Sequence, residues 1–224
     1  MKDILYKFIK ILIGLFLFAL GIVMTINANL GVAPWDVFHQ GLSKTIGITM
    51  GMASISVALI IIILDIVLGQ KIGWATVLNM LLIGTFMDVL MLNNFVPEFN
   101  SFIPSIIMLL LGILVQGYGC WIYMSGELGA GPRDGLMVVL TKKTGRSVRV
   151  VKSFIEVCAT IVGYILGGSV GIGTLILALI GGQAFQFAFK TVRFDVKNVK
   201  HRFIQDDILF IKEKIKSHKE KNPS

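Results

Sequence analysis

The chain has 224 residues, 55% hydrophobic and only 15% charged, with a mean hydropathy of +0.81. A water-soluble domain of that size needs far more polar surface, so composition excludes the soluble classes and points to an integral membrane protein. The net charge of +8 does not indicate nucleic acid, because the basic residues gather in loops and tails, where they orient membrane spans and attract anionic lipid.

Uncharged runs of about 20 residues, the length of helix that crosses a hydrocarbon core, predict six spans at roughly 8–28, 50–69, 72–92, 103–125, 150–168 and 171–190. Lys2, Lys7 and Lys10 lead into the first, which gives it the outline of a signal peptide. The repeat described below argues against cleavage, because the counterpart of this span is internal. After it comes LGVAPWD (30–36), then PWDVFHQGLSKTIG. Proline at the first helical position, an acid in the first turn, lysine near the end and glycine just past it spell a short helix over 34–47. Fourteen residues rise about 21 Å at about 1.5 Å each, short of the roughly 30 Å core. That helix is not expected to span.

The fourth span leads into the same wording, LGAGPRD (128–134) and PRDGLMVVLTKKTG, and so to a second short helix over 132–145. Two placements stay open for both. The wholly apolar LMVVL at 136–140 favours a re-entrant half-helix, whereas Phe38 and Leu42 on one face of the first copy favour the membrane surface. Beyond the sixth span, Ile204, Ile208, Ile211 and Ile215 recur at helical spacing among lysines. That pattern predicts an amphipathic helix on anionic lipid at the cytoplasmic surface, with the last residues, SHKEKNPS, disordered.

The positive-inside rule gives one consistent alternation. Lysines at the N-terminus, Lys71 after the second span, the basic loop from Arg133 to Lys152 and the basic tail all fall on one side. LNNFVPEFNS, between the third and fourth spans, has no lysine or arginine. Both termini are therefore expected in the cytoplasm.

Shifted by 98 residues, the sequence aligns with itself without a gap from about 12 to 84. Four of the seven corner positions are identical: Leu30/Leu128, Gly31/Gly129, Pro34/Pro132 and Asp36/Asp134. Gly14/Gly112, Gly21/Gly119, Lys44/Lys142, Gly47/Gly145, Gly69/Gly167, Gly73/Gly171 and Thr76/Thr174 also match. Each copy holds three spans, and three is odd, so the second copy enters from the opposite side. The expected fold is thus an all-α polytopic membrane protein of six transmembrane helices. They form two inverted-topology three-span repeats, each with a short non-spanning helix after its first span. The units run 1–98 and 99–192, with 193–224 as a basic tail.

Candidate functional residues follow from charge and polarity inside an apolar chain. Asp36 and Asp134 sit where an acid ordinarily serves a helix start, yet together they could bind a cation or carry protons. Arg133 is either a positive-inside charge or, beside a helix N-terminus, an anion ligand. Trp35 fits a membrane interface. Glu156 can pair with Lys152 one turn away, and Asp65 is expected to reach cytoplasmic headgroups. Gln116 and Gln183, with Asn79 and Gln186, either bond between helices or line a path. Gly163 and Gly167 give a GxxxG spacing that points to a close helix contact or to a homodimer. Cys120 and Cys158 read as free thiols, the histidines are scattered, and no metal or cofactor motif occurs.

With these corners and six spans, the chain resembles the YczE/YyaS/YitT-like family of bacterial integral membrane proteins, above all its YczE-like branch, over about residues 5–195. The resemblance implies a bacterial cell-membrane protein and no particular substrate. Two functions are carried forward, neither enzymatic. One is a secondary transporter or permease for a small solute working by alternating access. The other is a non-transporting membrane partner or regulator acting through the basic tail.

Overall fold

A computed structural model describes residues 2–195, 199 and 202–206. The amphipathic helix expected from Ile204 to Ile215 lies largely outside the described residues. The long elements are α1 (Lys2–Asn27), α3 (Met50–Val67), α4 (Trp74–Leu92), α5 (Phe102–Met124), α7 (Val148–Ile165) and α8 (Ile172–Thr191). The short ones are α2 (Pro34–Ile46) and α6 (Pro132–Thr144). No strand is among the named elements of the described residues.

Helix order and bounds in the second half follow those of the first at the 98-residue offset. Both short helices have 13 residues, begin at a proline and end at a left-handed glycine, Gly47 (φ 77) and Gly145 (φ 65). Both α3 and α7 have 18 residues and a hydroxyl N-cap, Thr49 accepting from the Met52 N–H and Ser147 from the Val150 N–H. A left-handed glycine cannot carry a side chain without strain, which is why these stops are legible in sequence.

The core is the crossing of α1 and α5, which run antiparallel with Gly14 against Gly119 and Gly21 against Gly112. A Cβ on Gly21 would lie 2.5 Å from the Gly112 carbonyl oxygen. Backbone approach this close is what small residues provide in a membrane, where packing replaces the hydrophobic effect between helices. Ile11, Leu15, Val23, Leu109 and Ile113 fill the space around the crossing. Outer faces carry exposed Ile60, Ile63, Leu64 and Val67 on α3 and Leu175 and Leu179 on α8. In water such a surface would aggregate; in a bilayer it is the lipid face.

Among the described residues, five helices are long and apolar enough to cross a membrane: α1 from Leu5, α3, α4, α5 and α8. Helix α7 has the length, but Arg149, Lys152 and Glu156 lie along it. The expected sixth span therefore does not stand on length and composition alone.

The halves interlock. Helix α2 packs on α7 and α3 on α6. The Leu30 carbonyl accepts from the Gly173 N–H at 2.6 Å at the head of α8. In the matching place the Leu128 carbonyl accepts from the Ala75 N–H at 2.8 Å at the head of α4. Gly163, whose spacing suggested a close helix contact or a dimer, makes a close contact inside the chain, against the Val37 and Phe38 backbone.

Candidate functional site

Proline at the head of α2 and α6 sets the helical φ and spends no N–H. Neither N-cap, Ala33 or Gly131, has a side chain that bonds the first turn. The Asp134 and Gly135 N–H groups donate to the Gly131 carbonyl at 3.2 Å, and that of Val37 to the Ala33 carbonyl at 2.9 Å. This leaves the N–H groups of Trp35, Asp36 and Arg133 free at the positive ends of the two helix dipoles. The two starts meet although they are 98 residues apart, and Arg133 of one corner reaches into the other. Its Nη2 lies 3.2 Å from His39 Nε2, and its guanidinium stands 5.0 Å from the centroid of the Trp35 ring.

Arginine has donors and no acceptor, so Nε2 of His39 accepts, and the imidazole proton is on Nδ1. That proton points to Asp36 Oδ1 at 3.3 Å. The order Arg133, His39, Asp36 is a relay through a neutral histidine. Burial and the neighbouring Arg133 charge hold His39 below its ordinary value, against the pull of Asp36. His39 and Asp36 are both buried, at 0% and 4% exposure.

Arg133 is half-buried and takes part in none of the ion pairs found among the described residues. Asp36, Asp134 and Glu156 nevertheless act on it through space. Four of its five N–H donors are left for another acceptor, beside a ring face that suits a planar cation. Asp134 forms a second focus. A methyl on Gly131 would lie 3.4 Å from Asp134 Oδ2, 3.5 Å from the Tyr123 hydroxyl and 3.6 Å from Asn79 Nδ2. Helices α4, α5 and α6 thus aim polar atoms at a space that glycine leaves open, where the first half has Ala33. Asp134 keeps exposed area, yet desolvation raises it above the usual carboxylate range, opposed by Lys152 and Arg133.

The other candidate residues lie apart from this cluster or are committed locally. Glu156 pairs with Lys152 at 3.7 Å along its own helix. Gln116 lies against Gly21 in the α1–α5 crossing, and its amide nitrogen has no partner. Gln183 is exposed on the outer side of α8. Cys120 is buried and Cys158 exposed, both free. His39 was missed in sequence because its role arises from a residue 94 positions away. Asp65 was misplaced: it is fully buried against Gly135 of α6, not among headgroups. An acid inside the run IIIILDIVLG was the available signal. A separate cavity of about 510 Å³, walled by Leu20, Met24, Phe95 and Met108, is apolar and lies away from both corners.

The profile of the "Family of unknown function (DUF6198)" matches residues 5–190. The chain belongs to that family. It is 37% identical over 179 residues to "Uncharacterized membrane protein YczE" of Bacillus subtilis (strain 168), covering 78% of this chain and 81% of the relative. An "Uncharacterized protein" of Haemophilus influenzae is 32% identical over 183 residues, covering 81% and 83%. "Uncharacterized protein YyaS" of Bacillus subtilis (strain 168) is 28% identical over 175 residues, covering 76% and 86%. No solved structure matches the chain. These relatives and the apolar helices make the protein a multi-pass membrane protein.

Proposed function

We propose that the protein is a non-enzymatic secondary transporter for a small solute carrying an anionic group, working by alternating access between two inverted-topology halves. The observation that carries this reading is the meeting of the two corners, where Arg133 of one half bonds His39 of the other at 3.2 Å. Binding sites of secondary transporters lie at repeat interfaces where interrupted helices present their N-termini. The antiparallel crossing of the equivalent helices α1 and α5 supports inversion. In this reading α7 crosses as the sixth span, its charges facing the site and the cytoplasm, and both termini are cytoplasmic in a bacterial inner membrane. Helices α2 and α6 are half-helices with their starts toward the midplane. Arg133 and the free N–H groups hold the anionic part, Trp35 packs against it, and Asp134 and Asp36 balance the charge.

Purified protein in liposomes tests this by counterflow of labelled solutes, with amino acids, carboxylates and inorganic phosphate as the panel. Flux that falls at least about tenfold in Arg133→Ala, as loss of a charged hydrogen bond of about 1.5–3 kcal/mol implies, is the expected result. Absence of flux across the panel, or flux indifferent to Arg133→Ala, refutes it.

The regulator reading has one feature in its favour, since the start of the tail is docked. The Ile204 N–H donates to the Ile72 carbonyl at 2.9 Å, and Lys71 pairs with Asp206 at 2.7 Å. Truncation after Asp206 keeps this dock and removes the rest. A lost cellular phenotype with intact flux would assign the tail a regulatory role.

A further inference from the structure

Asp65 stands in α3 with 0% exposure, and neither carboxylate oxygen has a hydrogen-bond partner. A Cβ on Gly135 of α6 would come within 2.5 Å of its Oδ2. The carboxyl is therefore roofed by a glycine, and a methyl there would have to push its Oδ2 aside. At the equivalent position the other half has Gly163, so the acid is not demanded by the packing scheme. Burying an ionised carboxylate without a partner is costly enough that the group takes a proton instead.

The charged groups on the elements packed around α3 do not relieve it. Helix α6 carries Arg133, Asp134, Lys142 and Lys143, and α2 carries Asp36, His39 and Lys44. Helix α4 carries Asp88, which is engaged at the opposite end of α3 by Thr49 and the Gly51 N–H. None bonds to Asp65. A metal cation would need several oxygen ligands, and the described residues hold no group of three or more His, Cys, Asp or Glu side chains.

The roof is also the loosely held short helix. Helix α2 buries Pro34, Asp36, Val37, His39 and Gly41. It is fastened to the end of α7 by Lys44 to the Gly167 carbonyl at 2.9 Å and Thr45 to the Leu166 carbonyl at 3.0 Å. Helix α6 buries only Pro132 and Val139, and among the described residues no hydrogen bond ties Lys142 or Lys143 to α3.

We propose that Asp65 is a proton-binding site opened and closed by α6, so that α6 seals over the neutral carboxyl and must lift before the proton leaves. Resting on the transport reading, this makes solute movement proton-coupled. The balance is simple: the carboxylate takes one proton from water to become the carboxylic acid, and returns it when α6 lifts. Closure of α6 carries Arg133 and Asp134 with it, so occupancy of the solute site and protonation of Asp65 are linked through one helix.

Infrared difference spectroscopy of the purified protein reads the protonated carboxyl without any solute. The expected result is a protonated-carboxyl band that persists at neutral pH and is absent in Asp65→Asn. In Gly135→Ala, whose added methyl displaces Oδ2 from under its roof, the band should shift or disappear at neutral pH while Asp65 itself is kept, and an unmoved band overturns the roof. A wild-type band already lost at neutral pH, or one abolished by sodium, overturns the proton site. In liposomes containing a pH-sensitive dye, Asp65→Asn should keep solute counterflow and lose at least about tenfold of gradient-driven accumulation. Unchanged accumulation overturns the coupling. The band without flux in any protein retires the transport reading and keeps the proton site.

Discussion

Gly163→Ala probes whether the two halves are locked as described. The new Cβ would lie 2.4 Å from the Phe38 nitrogen, 2.5 Å from its Cα and 2.5 Å from the Val37 carbonyl carbon. All three are backbone atoms of α2 and cannot rotate away. Ordinary contact begins near 3.4 Å, so α2 must retreat by about 1 Å. His39 is on the same helix, and its 3.2 Å bond to Arg133 has no slack for such a shift. Gly181→Ala on α8 is the control, because nothing lies within 4 Å of its added methyl. Both substitutions gain the same helix propensity, about 1 kcal/mol. Their difference is then the overpacking cost of about 1–3 kcal/mol. A middle value of about 2 kcal/mol is a roughly 30-fold difference in unfolding constant. Unfolding in mixed micelles measures it, and Trp35 fluorescence reports the corner. Equal stability of the two variants would refute the α2–α7 contact. A destabilised Gly163→Ala with unchanged Trp35 emission would refute the link from that contact to the site.

Three further outcomes are expected. Thr49→Ala should cost about 1 kcal/mol as a lost N-cap, and more than Ser147→Ala, because Thr49 also donates to Asp88 at 2.5 Å; equal losses on denaturant titration would contradict this. His39 has a native pKa below the 6.5 of the unfolded chain, so the unfolded state binds the proton first and stability falls as pH drops through that value. The slope is at most about 1.4 kcal/mol per pH unit, and His39→Gln should flatten it in stability curves taken from about pH 7.5 to about 5.5. A single cysteine at Asn94 should react with an impermeant maleimide on intact cells and one at Arg146, exposed just past the end of α6, should not; the reverse pattern would overturn the orientation.

Much of the architecture was legible because its punctuation is chemical. The bounds of α2 and α6 follow from Pro34, Gly47, Pro132 and Gly145, whose backbone preferences are local. The hydropathy runs placed the long helices within a few residues, and on α1 the apolar part starts at Leu5, after a lysine-bearing turn that extends the helix back to Lys2. What stayed hidden was which faces meet. A glycine pair at helical spacing promises a close contact without naming its partner, so the spacing of Gly163 left a neighbouring helix and a second chain equally open, and only the fold names α2. Asp65, one turn from the end of its helix, was sent to the headgroups, because a linear profile equates nearness to an end with exposure. Only the fold shows α6 lying over it. His39 has no acidic or basic neighbour of note in sequence except Asp36, and its second partner is brought by the other half.

The interlocking of the halves also sets a timetable for synthesis. Lys44 waits for a carbonyl 123 residues downstream, which at ribosomal rates of about 5–20 residues per second is a delay of roughly 6–25 s. Throughout that interval α2 has α3 beside it but lacks its α7 partner, and the insertion machinery or the surrounding lipid must shelter its buried-to-be histidine and aspartate. A stalled or shortened second half would therefore leave the first as a target for membrane proteolysis rather than as a stable fragment.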